Sequence, residues 1–218
     1  MITIDFDRVG LSFGGNALFS DLTVSIPSGK VTVVSGRNGS GKSTLLMLAA
    51  KLLLPDAGEV AVMEAGVPLK RESYRGRLAM VRPEWSIYPH LTAEENLRFF
   101  LGLRGVSLGS GEAAALFHRV GLSMGEVDGC HAERLSTGMR QRVKLAILIA
   151  SDADVWLLDE PGANLDPEGV RLVLEESRRA AATGRLVMLA TNDPREEAAA
   201  DEAIHLPWSQ AGASKGNG

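Results

Sequence analysis

Gly36-Arg37-Asn38-Gly39-Ser40-Gly41-Lys42-Ser43-Thr44 reads G-x-x-x-x-G-K-S, the spacing of a phosphate-binding loop. Its flanks fit that reading. The preceding run, Lys30-Val31-Thr32-Val33-Val34-Ser35, is β-branched and long enough for a buried strand. Behind it, Leu45, Leu46, Leu48, Ala49 and Leu52 recur at helical spacing. A strand, a glycine-rich turn and a helix aim successive backbone N–H groups at an anion, and the helix dipole adds to the attraction. In that setting Lys42 reaches the β- and γ-phosphates and the Ser43 hydroxyl can coordinate Mg²⁺. The plain alternative is an ordinary glycine-rich turn, and Lys-Ser at the start of a helix that follows a strand argues against it.

Toward the C-terminus, Val155-Trp156-Leu157-Leu158-Asp159-Glu160 is an apolar run ending in two carboxylates. Flanked by helices, it reads as a central parallel strand, and ligands bind at the carboxyl ends of such strands. Asp159 is placed to hold Mg²⁺, directly or through water, opposite Ser43. Glu160 can orient or deprotonate a water that attacks the γ-phosphate. Two solvated carboxylates at a strand end would be the bland reading. Before this strand, Leu135-Ser136-Thr137-Gly138-Met139-Arg140-Gln141-Arg142 places a good N-cap, Ser136, ahead of a helix carrying Val143, Leu145, Ala146, Leu148 and Ile149. Taken alone, that is a plain capped helix with an anion-attracting start. Asp166-Pro167 starts another helix. Leu186 to Ala190 is a further buried strand ending in Thr191-Asn192, and Asp193-Pro194-Arg195-Glu196 caps the next helix.

The N-terminal third alternates as strands do. Ile2, Ile4 and Phe6 suggest a half-buried edge strand; Leu11, Phe13, Leu22, Val24 and Ile26 continue around Gly14-Gly15-Asn16. Phe13 beside two glycines could stack on a base or sit in the core. Pro55 and Gly58 end the first helix and lead into the strand Val60-Ala61-Val62. In the middle third, Leu78 to Val81 reads as a short buried strand stopped by Pro83. The next loop is expected to expose Trp85 and Tyr88. Thr92-Ala93-Glu94-Glu95 is a capping box opening a helix with Leu97, Phe100, Leu101 and Leu103 on its apolar side. A second helix runs from about Gly111 to Val120. Residues 92–131 therefore form a helical subdomain inserted into an α/β core.

The chain has 218 residues and a net charge of −4. That charge gives no electrostatic case for nucleic acid. Cys130 is the single cysteine, which excludes an intrachain disulfide and a multi-cysteine metal site. No apolar run approaches the roughly 18 residues needed to span a bilayer, and the alternating start is not that of a signal peptide. These features favour the cytoplasm. Residues 207–218, rich in Gly, Ser and Ala after Trp208, read as a tail that is disordered or was added in expression.

Taken together, these motifs resemble the ATP-binding subunit of ABC transporters over about residues 2–206. Gly36 to Thr44 matches the Walker A loop, with Gly36, Asn38, Gly39, Ser40, Gly41, Lys42, Ser43 and Thr44 around the phosphates. Leu135 to Met139 looks like the family's signature motif, usually L-S-G-G-Q. Val155 to Glu160 matches Walker B, and Asn164-Leu165-Asp166 the D-loop. Phe13 sits where the family keeps its adenine-stacking aromatic. The resemblance implies an α/β P-loop NTPase core with a mixed sheet, an N-terminal antiparallel β subdomain and the inserted helices. It also implies ATP and Mg²⁺ as ligands and hydrolysis with Glu160, Lys42 and Asn192 at the reacting phosphate. A head-to-tail homodimer is implied, in which Ser136 and Gly138 of one copy touch the nucleotide of the other and Asp166 lies at the seam. The loop around Trp85 and Tyr88 would face an integral-membrane permease, holding the chain peripherally on the inner face of the cell membrane. Two positions depart from the pattern: Pro83 stands where the Q-loop glutamine falls, and Asn192 replaces the switch histidine. The short form and Met139-Arg140-Gln141-Arg142 are similar to haem-exporter and drug-exporter ATPases. Two other readings stay open, a soluble family member acting in translation or DNA repair and a degenerate ATP-binding regulatory subunit.

Overall fold

The computed structural model describes residues 1–208; the expected disordered tail lies outside them except for Pro207 and Trp208. In chain order the strands are β1 (Ile2–Phe13), β2 (Asn16–Pro27), β3 (Val31–Gly36), β4 (Ala57–Glu64), β5 (Val67–Pro68), β6 (Leu78–Val81), β7 (Val155–Asp159), β8 (Leu186–Thr191) and β9 (Glu202–Leu206). The helices are α1 (Lys42–Ala49), α2 (Arg71–Arg77), α3 (Ala93–Gly102), α4 (Glu112–Arg119), α5 (Met124–Val127), α6 (Thr137–Ala150), α7 (Pro167–Ala182) and α8 (Pro194–Glu197).

The expected mixture of strand directions is divided between two sheets. One is antiparallel, in the order β2-β1-β4-β5; the other is parallel, in the order β6-β7-β8-β3-β9. β1 is therefore an inner strand and not the edge its alternation suggested, because β4 returns to pair along its second side. The β1–β2 turn is Gly14-Gly15, with φ of 56° and 82°, the positive pair that a tight hairpin turn requires.

The parallel sheet separates two apolar layers, and side-chain alternation assigns its residues to them. Val33, Trp156, Leu158, Val187 and Leu189 face the layer shared with α3, α4, α6 and α7. Val34, Val155, Leu157, Met188 and Ala190 face the layer shared with α1 and the antiparallel sheet. Trp208, placed by sequence in the tail, packs against this second layer. α1 is shorter than the apolar spacing implied: Leu52 lies beyond its end and is 55% exposed.

The inserted helices are closed at their base by an antiparallel bridge between Thr92 and His131. Thr92 makes the anticipated capping box with Glu95. Leu103 lies past the helix end and is 70% exposed rather than on the apolar side. Three arginines tie the insertion to the core. Arg104 donates to the carbonyls of Gly76, Leu78 and Ser151. Arg119 holds the fully buried Glu176 of α7. Arg142 donates both to the Val120 carbonyl at 2.8 Å and to Asp166 Oδ1 at 2.9 Å.

Candidate active site

Three carboxyl ends of parallel strands meet at one edge of the sheet. β3 delivers the Gly36–Thr44 loop, β7 delivers Asp159-Glu160 and β8 delivers Asn192. The loop is folded tightly enough to exclude side chains at two glycines. Gly36 has φ of 154°, and a Cβ there would lie 2.6 Å from the Leu206 carbonyl oxygen. Gly41, the N-cap of α1, has φ of 100°, and a Cβ would meet Leu18 and Phe19 at 3.0 Å. Lys42 is buried, and its Nζ donates to the Gly36 carbonyl at 3.0 Å and the Arg37 carbonyl at 3.2 Å. Ser40 Oγ is buried without a hydrogen-bond partner.

Alternation along β7 puts Asp159 on the face of Val155 and Leu157, toward α1. Its Oδ1 accepts from the Ser43 hydroxyl at 3.0 Å. Burial pushes the Asp159 carboxyl up, while the Ser43 hydroxyl and the Arg82 guanidinium pull it back. A buried carboxylate and a hydroxyl at this separation are two hard oxygen donors of the kind Mg²⁺ takes beside phosphate oxygens. Glu160 turns the chain at φ 47°. That left-handed conformation is uncommon for a non-glycine residue and gathers at functional sites. It is fixed by the Glu160 N–H donating to the Ala190 carbonyl at 2.9 Å and by the Glu160 carbonyl accepting from Ala163 at 3.0 Å.

A cleft of about 450 Å³ brings much of this together: Phe13, Asn38, Gly39, Gly41, Lys42, Ser43, Thr44 and Glu160 line it. Phe13 is not a core residue; it stands at the tip of the β1–β2 hairpin, 52% exposed, on the wall of this cleft. Asn192 reaches the loop from above, its Nδ2 donating to Asn38 Oδ1 at 3.1 Å. Ser136, Gly138 and Asp166 form a separate group outside the lining. Ser136 Oγ caps α6 by accepting from the Met139 N–H at 3.1 Å. Asp166 Oδ1 caps α7 through Gly169, and a Cβ on Gly138 would lie 3.2 Å from the Asn164 carbonyl.

Sequence reasoning missed two buried charges near this edge. Lys144 of α6 is one; the other is Glu196 of α8, 2% exposed, whose Oε1 has no hydrogen-bond partner. Burial pushes the Glu196 carboxyl up, and the Thr191 hydroxyl only partly offsets it. A raised carboxyl favours the protonated folded form, so its stabilising contribution is complete below the ordinary carboxylate range and is lost as pH rises through the raised value. Glu196→Gln should therefore gain about 1 kcal/mol, or roughly 2–4 °C in Tm, at pH 8 and almost nothing at pH 4. Thermal unfolding at the two pH values checks this.

The loop after β6 also differs from expectation. Trp85 is half-buried, edge-on to Phe100 at 5.1 Å between centroids. Tyr88 is exposed, and the fully buried Asn96 pins it through bonds to its N–H at 2.7 Å and its carbonyl at 3.0 Å. Glu84 pairs with Arg82 at 3.3 Å.

Residues 19–163 match the ABC transporter family. The chain belongs to that family. This ABC subunit is 34% identical over 185 residues to a cytochrome c biogenesis ATP-binding export protein of Saccharophagus degradans, covering 81% of each chain. It is 30% identical to the Nod factor export ATP-binding protein I of Bradyrhizobium diazoefficiens, over 88% of this chain and 62% of that one. Among solved structures, an ATP-binding subunit of an ABC transporter superposes with TM-score 0.78 and 26% identity over 93% of this chain and 85% of the other. A dimeric ATP-binding cassette in a post-hydrolysis state with ADP and Pi does so with TM-score 0.78 and 23% identity, over 93% and 94%. The ABC subunit is thus an ATP-binding ATPase component that powers a membrane transporter. No helix among its described residues is long and apolar enough to cross a membrane.

Proposed function

We propose that this subunit hydrolyses MgATP in the cleft between the Gly36–Thr44 loop and Glu160, and that a second copy completes the site. The observation that carries the reading is the Ser43–Asp159 contact at 3.0 Å, with Lys42 and Glu160 on the same cleft wall. The loop N–H groups, the Ser40 hydroxyl and Lys42 hold the β- and γ-phosphates. Ser43 and Asp159 would hold Mg²⁺, which would supply charge neutralisation of the phosphates. Phe13 stacks on the adenine, Glu160 takes the proton of the attacking water, and Asn192 donates to a γ-phosphate oxygen.

Ser136, Gly138 and Asp166 lie together but apart from that cleft. Their role in this reading is to reach the nucleotide of a second copy placed head to tail. Tyr88, Phe99 and Leu103 form an exposed apolar patch beside Phe100, and a patch of this kind supports docking to an integral-membrane permease. That contact would hold the subunit at the inner face of the membrane. The names of two relatives support an exporter.

A regulatory subunit that binds ATP without turning it over is the second reading, favoured by Pro83 and Asn192. Steady-state ATPase assays on the parent separate the two, and the same assays on Asn192 variants test the part of Asn192. A neutral amide positions the phosphate but lacks the charge that a protonated histidine can supply. Asn192→Ala should lower turnover about tenfold with ATP affinity largely kept, and Asn192→His should hold or raise it with a new pH inflection. Full turnover in Asn192→Ala would remove Asn192 from the reaction; no Mg²⁺-dependent turnover in the parent would favour the regulatory reading.

A further inference from the structure

Glu160 is the shared wall of two clefts. The second, about 190 Å³, lies away from the phosphate loop and is lined by Pro83, Ser86, Arg140, Gln141, Lys144 and Glu160 among others. Lys144 is 7% exposed, and its neighbour is the face of Trp85, 5.9 Å from the ring centroid. Among the described residues its ammonium has no hydrogen-bond or ion-pair acceptor. Glu84 is near enough for its field to be felt, but it is largely solvated and paired with Arg82 at 3.3 Å. Burial and the neighbouring Arg140 both press the Lys144 ammonium toward losing its proton. Arg140 itself is only partly used, giving Nη1 to the Leu135 carbonyl at 2.8 Å and the Ala132 carbonyl at 3.4 Å.

Two cations brought to one cleft, one of them on a residue 7% exposed and without an acceptor, repel each other and keep only part of their hydration. An anion between them would offset both costs. The volume equals about six waters at roughly 30 Å³ each, enough for a small tetrahedral oxyanion with part of its hydration shell. From the shared Glu160 wall and the paired cations, we infer that this cleft is a subsite for inorganic phosphate, occupied by the cleaved γ-phosphate on its way out of the nucleotide cleft. The inference rests on the hydrolysis reading above. In that reading water's oxygen bonds to the γ-phosphorus as the bond to the ADP oxygen breaks, and the water's proton goes to Glu160. Lys144 and Arg140 receive the anion's charge on the far side.

The test is calorimetric titration of inorganic phosphate into the full chain saturated with MgADP, together with phosphate inhibition of ATP turnover. Lys144→Gln should weaken phosphate binding about tenfold, in keeping with the loss of a charge-assisted bond, while MgADP affinity stays at the parent value. Lys144→Arg should stay within about threefold of the parent, since the charge remains. The unchanged MgADP affinity also shows that the Gln variant is folded. Equal phosphate affinity in Lys144→Gln and the parent overturns the subsite, as does a parent that binds MgADP but no phosphate. A parent that binds no nucleotide overturns the hydrolysis reading, and the subsite with it.

Discussion

Lys42→Ala lowers MgATP affinity at least about a hundredfold, as the loss of two charge-assisted bonds at about 1.5–3 kcal/mol each requires. In the structure, the Lys42 ammonium bonds the Gly36 and Arg37 carbonyls and lies along the loop that would enclose the phosphates. It is the buried cation of that loop, so no neighbour replaces its charge when it is gone. The substitution leaves the fold in place: alanine is the strongest helix former, and Lys42 occupies the first turn of α1. Calorimetry with MgATP reads the effect, and circular dichroism checks the fold. Parent-like affinity would mean that the phosphates lie elsewhere.

Glu160→Gln separates binding from turnover. Glutamine keeps the size of the side chain and its capacity to hydrogen-bond, but it cannot take a proton from water. A positioned general base contributes about 10²–10⁴ in rate, so turnover should fall by that range while ATP affinity stays within a few-fold. The backbone at Glu160 supports the assignment: its φ of 47° is held by the Ala190 carbonyl and by Ala163, which fixes where the side chain leaves the strand. A parent-like rate for Glu160→Gln would assign the base to another residue. A loss of ATP binding would show that Glu160 shapes the cleft instead.

The grouping of residues around the proposed nucleotide cleft was legible in the sequence because its parts are local. The loop spacing, the Lys-Ser pair and the helix behind them lie within Gly36 to Ala49, and alternation along Val155 to Asp159 predicts that Asp159 and Leu157 share a face. The caps at Thr92, Ser136, Asp166 and Asp193 were legible for the same reason. Features set by partners distant in the chain were not. β1 became an inner strand only through β4. β9 is five residues long and is defined by its parallel pairing with β3. α2 has a polar sequence, R-E-S-Y-R-G-R, in which Tyr74 alone is buried, and it is anchored by the Tyr74 hydroxyl donating to the Ala49 carbonyl at 2.9 Å. Lys144 and Glu196 look like solvated charges in sequence, and only the packing of α6 and α8 buries them. Trp85 and Tyr88 read alike in the loop, yet Phe100 and Lys144 cover one while the other stays exposed.

The grouping of Ser136, Gly138 and Asp166 away from the proposed nucleotide cleft carries the central claim, that one copy's site is finished by another. Sedimentation of Glu160→Gln tests it most directly, because that variant should hold ATP without consuming it. With saturating MgATP the account predicts a species of twice the chain mass that returns to the single chain with MgADP. It also predicts that Ser136→Arg added to the same chain prevents the pairing while leaving ATP bound. A single-chain mass at full MgATP occupancy would contradict it.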